Sequence, residues 1–187
     1  MGNPIAESTE RLLADMDPDA RASAEREIAE HSVRPAGFEL TLSEEINLAK
    51  AVKVLAAVDG LSREELGGLK FLMIMSALPY EVQRHVIEFE TEGVSIEHTS
   101  ELVPAGSRKA GYLLSGATTV AAIDGLSEEE ERSALELGER LQLERKLVDV
   151  LIAEARATGT AMAKGDQELV EQLKQLRGAL FALVVPA

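Results

Sequence analysis

A ten-residue phrase occurs twice in this chain, and it constrains the possible folds more than any other feature. It reads AAVDGLSREE at residues 56–65 and AAIDGLSEEE at residues 121–130, with eight of ten positions identical. The flanking apolar residues correspond at the same offset of 65 positions. Self-similarity at one fixed offset is typical of a duplicated supersecondary unit. We therefore expect two related structural units, each containing one of these DGLS phrases.

Each DGLS phrase predicts the end of one helix, a turn and the start of the next helix. In the first phrase, Gly60 suits the C′ position after a helix, where glycine adopts a positive φ without steric cost. Ser62 suits the N-cap of the following helix, and Glu65, three residues later, completes a capping box. The second phrase has the same residues as Gly125, Ser127 and Glu130.

The apolar pattern around the phrases has the period of amphipathic helices, because apolar residues recur every three or four positions. Ala, Leu and Glu are abundant, and the chain has no long alternating β-branched run of the kind found in strands. Each unit is therefore predicted to contain three helices. They lie at about residues 44–58, 63–78 and 80–91 in the first unit and at about 108–123, 128–141 and 144–157 in the second.

The predicted fold class is all-α, a single domain of two duplicated three-helix units with extra N- and C-terminal helices. Residues 1–38 are expected to form a polar helical extension that packs weakly or meets a partner. Residues 39–157 form the duplicated domain, with repeat units at about 40–91 and 107–157. Residues 158–187 are predicted to form a C-terminal amphipathic helix, whose apolar face covers the core or docks on another subunit.

One segment of the first unit is apolar on nearly all sides. It has the sequence LKFLMIMSAL at residues 69–78. A helix with such a pattern is usually central and buried. We therefore expect it in the core of the domain.

The charge of the chain excludes several classes of partner. The net charge is −14, which repels nucleic-acid phosphates and anionic membranes. The absence of cysteine excludes disulfides and thiol catalysis, and it is compatible with a reducing compartment. The N-terminus does not resemble a signal peptide, and the apolar run at residues 179–185 is too short to span a bilayer. We expect a cytoplasmic protein with protein partners, without nucleic-acid binding or membrane insertion.

Asp59 and Asp124 are the residues of the phrases that capping does not explain. Each is predicted at the C-terminal end of a helix, where the helix dipole disfavours a carboxylate by roughly 0.3–1 kcal/mol. One interpretation is an Asx turn, in which the carboxylate accepts the N–H two residues later. The other is a divalent cation, which takes several carboxylate oxygens. The candidate metal ligands are Asp59, Glu64 and Glu65 in the first phrase and Asp124, Glu129 and Glu130 in the second.

Motifs for catalysis are missing from the sequence. His31, His85 and His98 do not have metal-ligand spacing, no glycine-rich loop ends in Lys-Ser or Lys-Thr, and no nucleophile elbow occurs. We therefore name no catalytic residue and do not expect an enzyme, which would need a deep pocket with converging polar groups.

The two phrases resemble the tellurite-resistance TerB-like family. The resemblance rests on residues 56–62 with Glu65, on residues 121–127 with Glu130, and on the segments ALPYE and LQLER near the third helices. It covers roughly residues 40–157. It implies an all-helical domain of two similar halves, a role in stress responses such as tellurite or phage resistance, and acidic sites suspected of binding metal.

The resemblance brings no settled enzymatic reaction. The residues that it carries over by motif are Asp59, Glu65, Asp124 and Glu130, whereas Glu64 and Glu129 are added on charge alone. The functional hypothesis is an acidic helical adaptor that acts through protein–protein contacts, modulated by a divalent cation at the two DG turns. The alternative is a ligand-free structural homo-oligomer subunit, assembled through the terminal helices.

Overall fold

Helices in this protein start where the sequence supplies a capping group. The computed structural model describes residues 2–33 and 38–184, and within them there are ten helices and no strand. The predicted all-α class is therefore confirmed. None of these helices is long and apolar enough to cross a membrane. They are α1 Pro4–Asp15, α2 Pro18–His31, α3 Leu42–Ala56, α4 Arg63–Met75, α5 Tyr80–Glu88, α6 Ile96–Ser100, α7 Arg108–Ala121, α8 Glu128–Arg140, α9 Arg145–Lys164 and α10 Gln167–Val184.

The centre of the fold is the packed pair of α3 and α7. Small side chains such as Ala49 and Ala117 are fully buried on these helices and allow a close approach. Helix α4 packs on both α3 and α7, and α8 likewise packs on both. Leu69, Leu137 and Leu151 of the surrounding helices are completely buried. Burial of each such side chain stabilises the fold by about 1.5–3 kcal/mol.

The backbone leaves α4 and α8 in the same conformation, at positions that are 65 residues apart in the sequence. Helices α4 and α8 are each followed by a non-glycine residue with positive φ, Ala77 at 54° and Gln142 at 53°. In both cases the next residue donates its N–H to a carbonyl five residues earlier, at 3.0 and 3.1 Å. This conformation costs a residue with a side chain roughly 1–2 kcal/mol. The two helices therefore end in the same strained way.

The third helices of the two predicted units differ in length. Helix α5 has 9 residues and ends at Glu88, whereas α9 has 20 residues and ends at Lys164. The longer helix passes the end of α7 so closely that a Cβ at Gly159 would collide with the carbonyl oxygen of Ala122. Only glycine fits at this position without a shift of the backbone.

Helix α4 is not the buried central helix that its sequence predicts. Leu69 and Met73 are fully buried, but Phe71 and Ile74 are 59% and 61% exposed. The helix lies on the outside of the α3–α7 pair and therefore buries one face only. The prediction that α4 is buried is therefore wrong for the face that carries Phe71 and Ile74.

The N-terminal extension packs more firmly than its polar sequence predicts. Helix α1 lies on α3, and its Ile5 and Thr9 are fully buried. Helix α2 also contacts α3, and the side chains of its Ala24 and Ile28 are each only 1% exposed. The few apolar residues of these two helices lie on the sides that face the core.

The C-terminal helix covers the core at its end. Helix α9 includes residues 158–164, so the predicted C-terminal helix begins only at Gln167. Phe181 is 7% exposed and belongs to the core. Leu169 and Leu176, near the start and the middle of α10, remain 39% and 48% exposed.

Candidate functional site

The turns in the two DGLS phrases have the same backbone shape. Gly60 and Gly125 have φ angles of 111° and 114°. No neighbouring atom lies within 4 Å of the place that a Cβ would take, so the backbone angle, and not a lack of space, favours glycine here. The positive φ is confirmed. The predicted C′ position is wrong, because the preceding helices already end at Ala56 and Ala121.

Both predicted capping boxes are confirmed. The backbone N–H of Ser62 donates to Oε2 of Glu65 at 2.7 Å, and the N–H of Glu65 donates to Oγ of Ser62 at 3.1 Å. In the second phrase, the corresponding distances between Ser127 and Glu130 are 2.8 and 3.2 Å. Each glutamate therefore uses one carboxyl oxygen to satisfy a backbone donor at a helix N-terminus.

The six predicted metal ligands fall into two groups. Glu65 and Glu130 are each 2% exposed. Within the described residues, no three or more acidic, histidine or cysteine side chains are grouped so that they could hold a metal ion. The exposed group consists of Asp59, Glu64, Asp124 and Glu129.

Asp59 and Asp124 do not form the predicted Asx turn. Their side chains make no hydrogen bond and no ion pair with any part of the chain that the structure describes. Both lie in the exposed turn, beyond the last helical residue. Their carboxylates are therefore hydrated, which removes the need for a compensating partner.

The structure brings Glu65 and Glu130 together, which the sequence analysis did not predict. The carboxyl group of Glu130 lies close enough to that of Glu65 to raise its pKa. Oε1 of each is fully buried and has no hydrogen-bond donor. The packing around α4 agrees with this, since Gly68, one turn after Glu65, lies against the side chain of Ile123 in the second phrase.

This arrangement raises the pKa of Glu65. Burial is the largest cause, and the facing Glu130 carboxyl adds to it, whereas the hydrogen bonds from Ser62 act in the opposite direction. Together they raise the pKa of Glu65 to about 7. Two buried carboxyl groups that face each other can hold a proton at a pH where exposed glutamates are ionised.

A second buried polar cluster surrounds Lys50, and the sequence analysis missed it. The Lys50 side chain is fully buried, and its Nζ donates to Oγ of Ser8 and to Oγ1 of Thr9, each at 3.0 Å. Nζ also lies 5.0 Å from the ring centroid of Phe89, a cation–π distance. These partners carry no charge. Burial, followed by the positive charge of Arg11, therefore lowers the pKa of Lys50 to about 8.

Ser8 connects this lysine to an open cavity of about 360 Å³. Its Oγ lies 3.2 Å from Nε2 of His85, and His85 lines the cavity together with Arg11 and Glu88. Burial, and next the charge of Lys50, lower the pKa of His85, which favours the neutral ring. Ser8 lies inside α1, where the backbone N–H groups serve the helix and do not form an oxyanion hole. We assign the cluster no catalytic role.

A sequence signal for these buried lysines exists. Lys50 and Lys53 are the charged residues in the otherwise apolar run LAKAVKVLA at residues 48–56. Nζ of Lys53 donates to the carbonyl oxygen of Phe89 at 2.6 Å, just after the end of α5, where a cation is favourable. A lysine that interrupts an apolar helical stripe is therefore a candidate for burial beside uncharged acceptors.

The chain matches no family model, no curated protein and no solved structure.

Proposed function

We propose that the protein is an acidic helical adaptor of the cytoplasm that acts through protein–protein contacts. The observation that carries this proposal is an exposed apolar surface on α4 and the start of α5. Phe71, Ile74 and Tyr80 are 59%, 61% and 73% exposed. We call these three residues the α4–α5 surface. Exposed apolar side chains that lie near one another are characteristic of interaction sites.

A shallow groove extends this surface towards α2. It has a volume of about 560 Å³ and is lined by Ile74, Leu78 and Pro79 on one side and by Ala20 and Ala24 on the other. Such a groove accommodates an apolar side chain from a partner, and aromatic residues beside it supply contact area at a low cost in conformational entropy.

The charge of the protein suggests the chemistry of the partner. Glu27 lines the groove, and Glu81 follows Tyr80 on α5, in a chain with a net charge of −14. A partner with an apolar anchor and basic residues around it would match the groove and its acidic rim. This charge pattern disfavours nucleic acid as the partner.

The adaptor test compares the α4–α5 surface with another exposed apolar residue. Phe71→Asp combined with Ile74→Asp is expected to abolish recovery of a partner in affinity capture, followed by a binding measurement with that purified partner. Val150→Asp is the matched control, because Val150 is 41% exposed on α9. If binding survives the α4–α5 changes, or is lost equally in the control, the proposal is wrong.

A duplicated TerB-like architecture is the second part of the proposal. It is supported by the repeated helix starts, by the paired positive φ angles at Gly60 and Gly125, and by those at Ala77 and Gln142. Stress response and tellurite resistance belong to the resemblance alone. They are tested by comparing growth in tellurite with and without the gene.

Modulation by a divalent cation at the DG turns also belongs to this proposal. Asp59 and Glu64 offer hydrated carboxylates in one turn, and Asp124 and Glu129 offer them in the other. Calorimetry with calcium, magnesium, manganese and zinc tests the idea. Heat that disappears in the Asp59→Ala plus Asp124→Ala variant is expected, and an absence of heat in the wild type would remove the cation from the proposal.

The alternative is a ligand-free homo-oligomer assembled through α10. The observation in its favour is the exposure of Leu169 and Leu176, 39% and 48%, on a helix whose end is docked on the core. Sedimentation of the full chain and of a Leu169→Glu plus Leu176→Glu variant distinguishes the two proposals. A concentration-dependent dimer that the variant abolishes supports the oligomer, and a monomer at all concentrations contradicts it.

A further inference from the structure

We propose that the groove between α2 and the α4–α5 surface binds one α-helix of the partner protein, with apolar side chains on one face and Lys or Arg beside them. This inference rests on the adaptor function proposed above and names the kind of segment that the adaptor recognises. One wall of the groove is α2, and the other consists of Ile74 on α4 and the turn that leads into α5.

The α2 wall of the groove extends over about two helical turns. Its lining residues share one face of the helix, because they are three or four positions apart. They are Ala20, Ser23, Ala24 and Glu27. Seven residues of helix correspond to about 10 Å. Since three of the four side chains are small, a second helix can come close to α2 along this length and present side chains from positions i, i+4 and i+7.

The backbone of the opposite wall is already hydrogen-bonded. The N–H groups of Ala77 and Leu78 donate to carbonyl oxygens of α4, each at 3.0 Å. The carbonyl oxygens of Leu78 and Pro79 accept the side-chain and the backbone N–H of Gln83, at 2.7 and 2.9 Å. An extended segment in the groove would therefore bury N–H and C=O groups without partners, which is unfavourable, whereas a helix satisfies its own backbone groups.

Exposed apolar residues on α4 are not a requirement of this fold, as a comparison with α8 shows. Both helices have 13 residues and begin after a capping serine. Counted from that serine, Phe71 and Ile74 on α4 occupy the same positions as two glutamates on α8. These are Glu136 and Glu139, and all four side chains are exposed. The helical position alone does not explain the apolar pair on α4, whereas a partner surface does.

The two walls of the groove are connected at the end of α2. The backbone N–H of Val33 donates to the carbonyl oxygen of Met75, the last residue of α4, at 2.8 Å. This hydrogen bond helps to keep the spacing of the walls when the groove is empty, so less conformational entropy is lost on binding. The side chain of Val33 is 50% exposed and extends the apolar area that a helix can contact.

The charge in the groove favours a basic residue on the partner helix. Among the described residues that line the groove, Glu27 is the one that carries a carboxylate. It is exposed, and Nε2 of His31 lies 3.8 Å away, a pair that is ionic only when the ring is protonated. The carboxylate is therefore open to a Lys or Arg of the partner. An exposed pair of this kind adds little affinity, but it orients the helix and steers association.

The test uses a dye-labelled synthetic peptide of about 18 residues, because shorter isolated helices are marginal in water. It has leucine at positions i, i+4 and i+7 of one face, lysine beside the leucines and alanine elsewhere. We expect saturable binding to the full chain in fluorescence anisotropy. A peptide with proline in place of one central alanine cannot form the helix and should bind at least about tenfold more weakly. Equal binding of the two peptides, or no binding of the helical one, would overturn the proposal.

Variants of α2 show whether the peptide lies in the groove. Ser23→Phe places a bulky side chain in the groove and should weaken binding at least about tenfold. Ala22→Phe is the matched control, because Ala22 is exposed on the same helix but does not line the groove, and it should bind like wild type. Ala20→Phe blocks the groove one turn earlier and keeps the test decisive if Ser23→Phe does not fold. Equal binding by the groove-filling and control variants would overturn the proposal.

The partner recovered in the adaptor test separates this inference from the adaptor function. Loss of its binding in Ser23→Phe, with wild-type binding in Ala22→Phe, supports a helix in the groove. If Phe71→Asp with Ile74→Asp abolishes binding and Ser23→Phe does not, the adaptor function stands and the helix in the groove is wrong. If none of these variants affects binding, both proposals are wrong.

Discussion

The carboxyl pair at Glu65 and Glu130 and the cluster around Lys50 place ionisable groups in the same helical body, and burial shifts them in opposite directions. The pKa of Glu65 rises to about 7, because burial and a like charge oppose its ionisation. The pKa of Lys50 falls to about 8, because burial and Arg11 oppose its protonation. In both places burial shifts the equilibrium towards the neutral form, relative to an exposed group of the same type.

The two groups therefore make opposite contributions to stability against pH. The contribution of Glu65 is lost as the pH rises through about 7. For Lys50, the unfolded chain binds more protons than the folded protein between about pH 8 and the ordinary lysine value of about 10.4, so stability rises over that range. Their combined contribution is smallest between about pH 7 and pH 8.

Truncation of Lys50 should give the largest effect. Lys50→Ala leaves a cavity in a fully buried site and should lower the free energy of unfolding by about 3 kcal/mol. Lys50→Met fills the space without a buried charge and should cost about 1 kcal/mol or less. Urea unfolding at pH 7 measures both. Lys70→Ala, at an exposed site on α4, is the control and should change little. Equal losses for alanine and methionine would show that the charge itself stabilises the fold.

The pH dependence above neutrality should disappear when the lysine is removed. Wild type is expected to gain about 2 kcal/mol in the free energy of unfolding between pH 8 and pH 10.4, since the charged form of Lys50 is disfavoured when folded. Lys50→Met should lack this gain. Urea unfolding across that range checks it, and a variant with the wild-type slope would assign the dependence to another group.

Loss of a capping serine should have a moderate effect. Ser62→Ala and Ser127→Ala each remove a side-chain acceptor at a helix N-terminus and should each cost about 1 kcal/mol. Because the two glutamates meet, the double variant should be non-additive by about 0.5 kcal/mol or more. Ser107→Ala, which removes a cap on α7, provides the comparison and should be additive with Ser62→Ala. Thermal unfolding at pH 5 measures the stability of these single and double variants. If the effects are additive in both double variants, the two caps are not coupled through the carboxyl pair.

The exposed aspartates should have the smallest effect. Asp59→Asn with Asp124→Asn should change the free energy of unfolding by less than about 0.5 kcal/mol in metal-free buffer, since both side chains are hydrated. Thermal unfolding with EDTA checks this. A loss above about 1 kcal/mol would show that a structural role of these carboxylates has been missed.

Local signals predicted much of the fold. Each helix start is specified by four consecutive residues, Ser62 to Glu65 for α4 and Ser127 to Glu130 for α8. Both of these capping boxes form in the structure. The helical period likewise gave the all-α class. The burial of α4 was misjudged because periodicity cannot show how many neighbours surround a helix. Phe71 and Ile74 face outwards for that reason.

The chemistry of the interior depends on contacts between distant segments. Glu65 and Glu130 meet because α4 and α8 both pack across the α3–α7 pair, and no local pattern contains that information. Lys50 is enclosed by Ser8 and Thr9, which lie more than forty residues away in sequence. The apolar residues on either side of Lys50 in the sequence indicate that its side chain is buried. Its hydrogen-bond partners can be identified only from the packing of α1.

The close passage of α9 over Ala122 has a consequence for engineering. Gly159 leaves no room between α9 and the end of α7, so extra residues at Ala122 would push the two helices apart. The first unit has no such close passage, since its third helix, α5, already ends at Glu88. Insertions at Ala122 should therefore disturb the packing of α9, whereas open space surrounds both Gly60 and Gly125, where added residues should be tolerated.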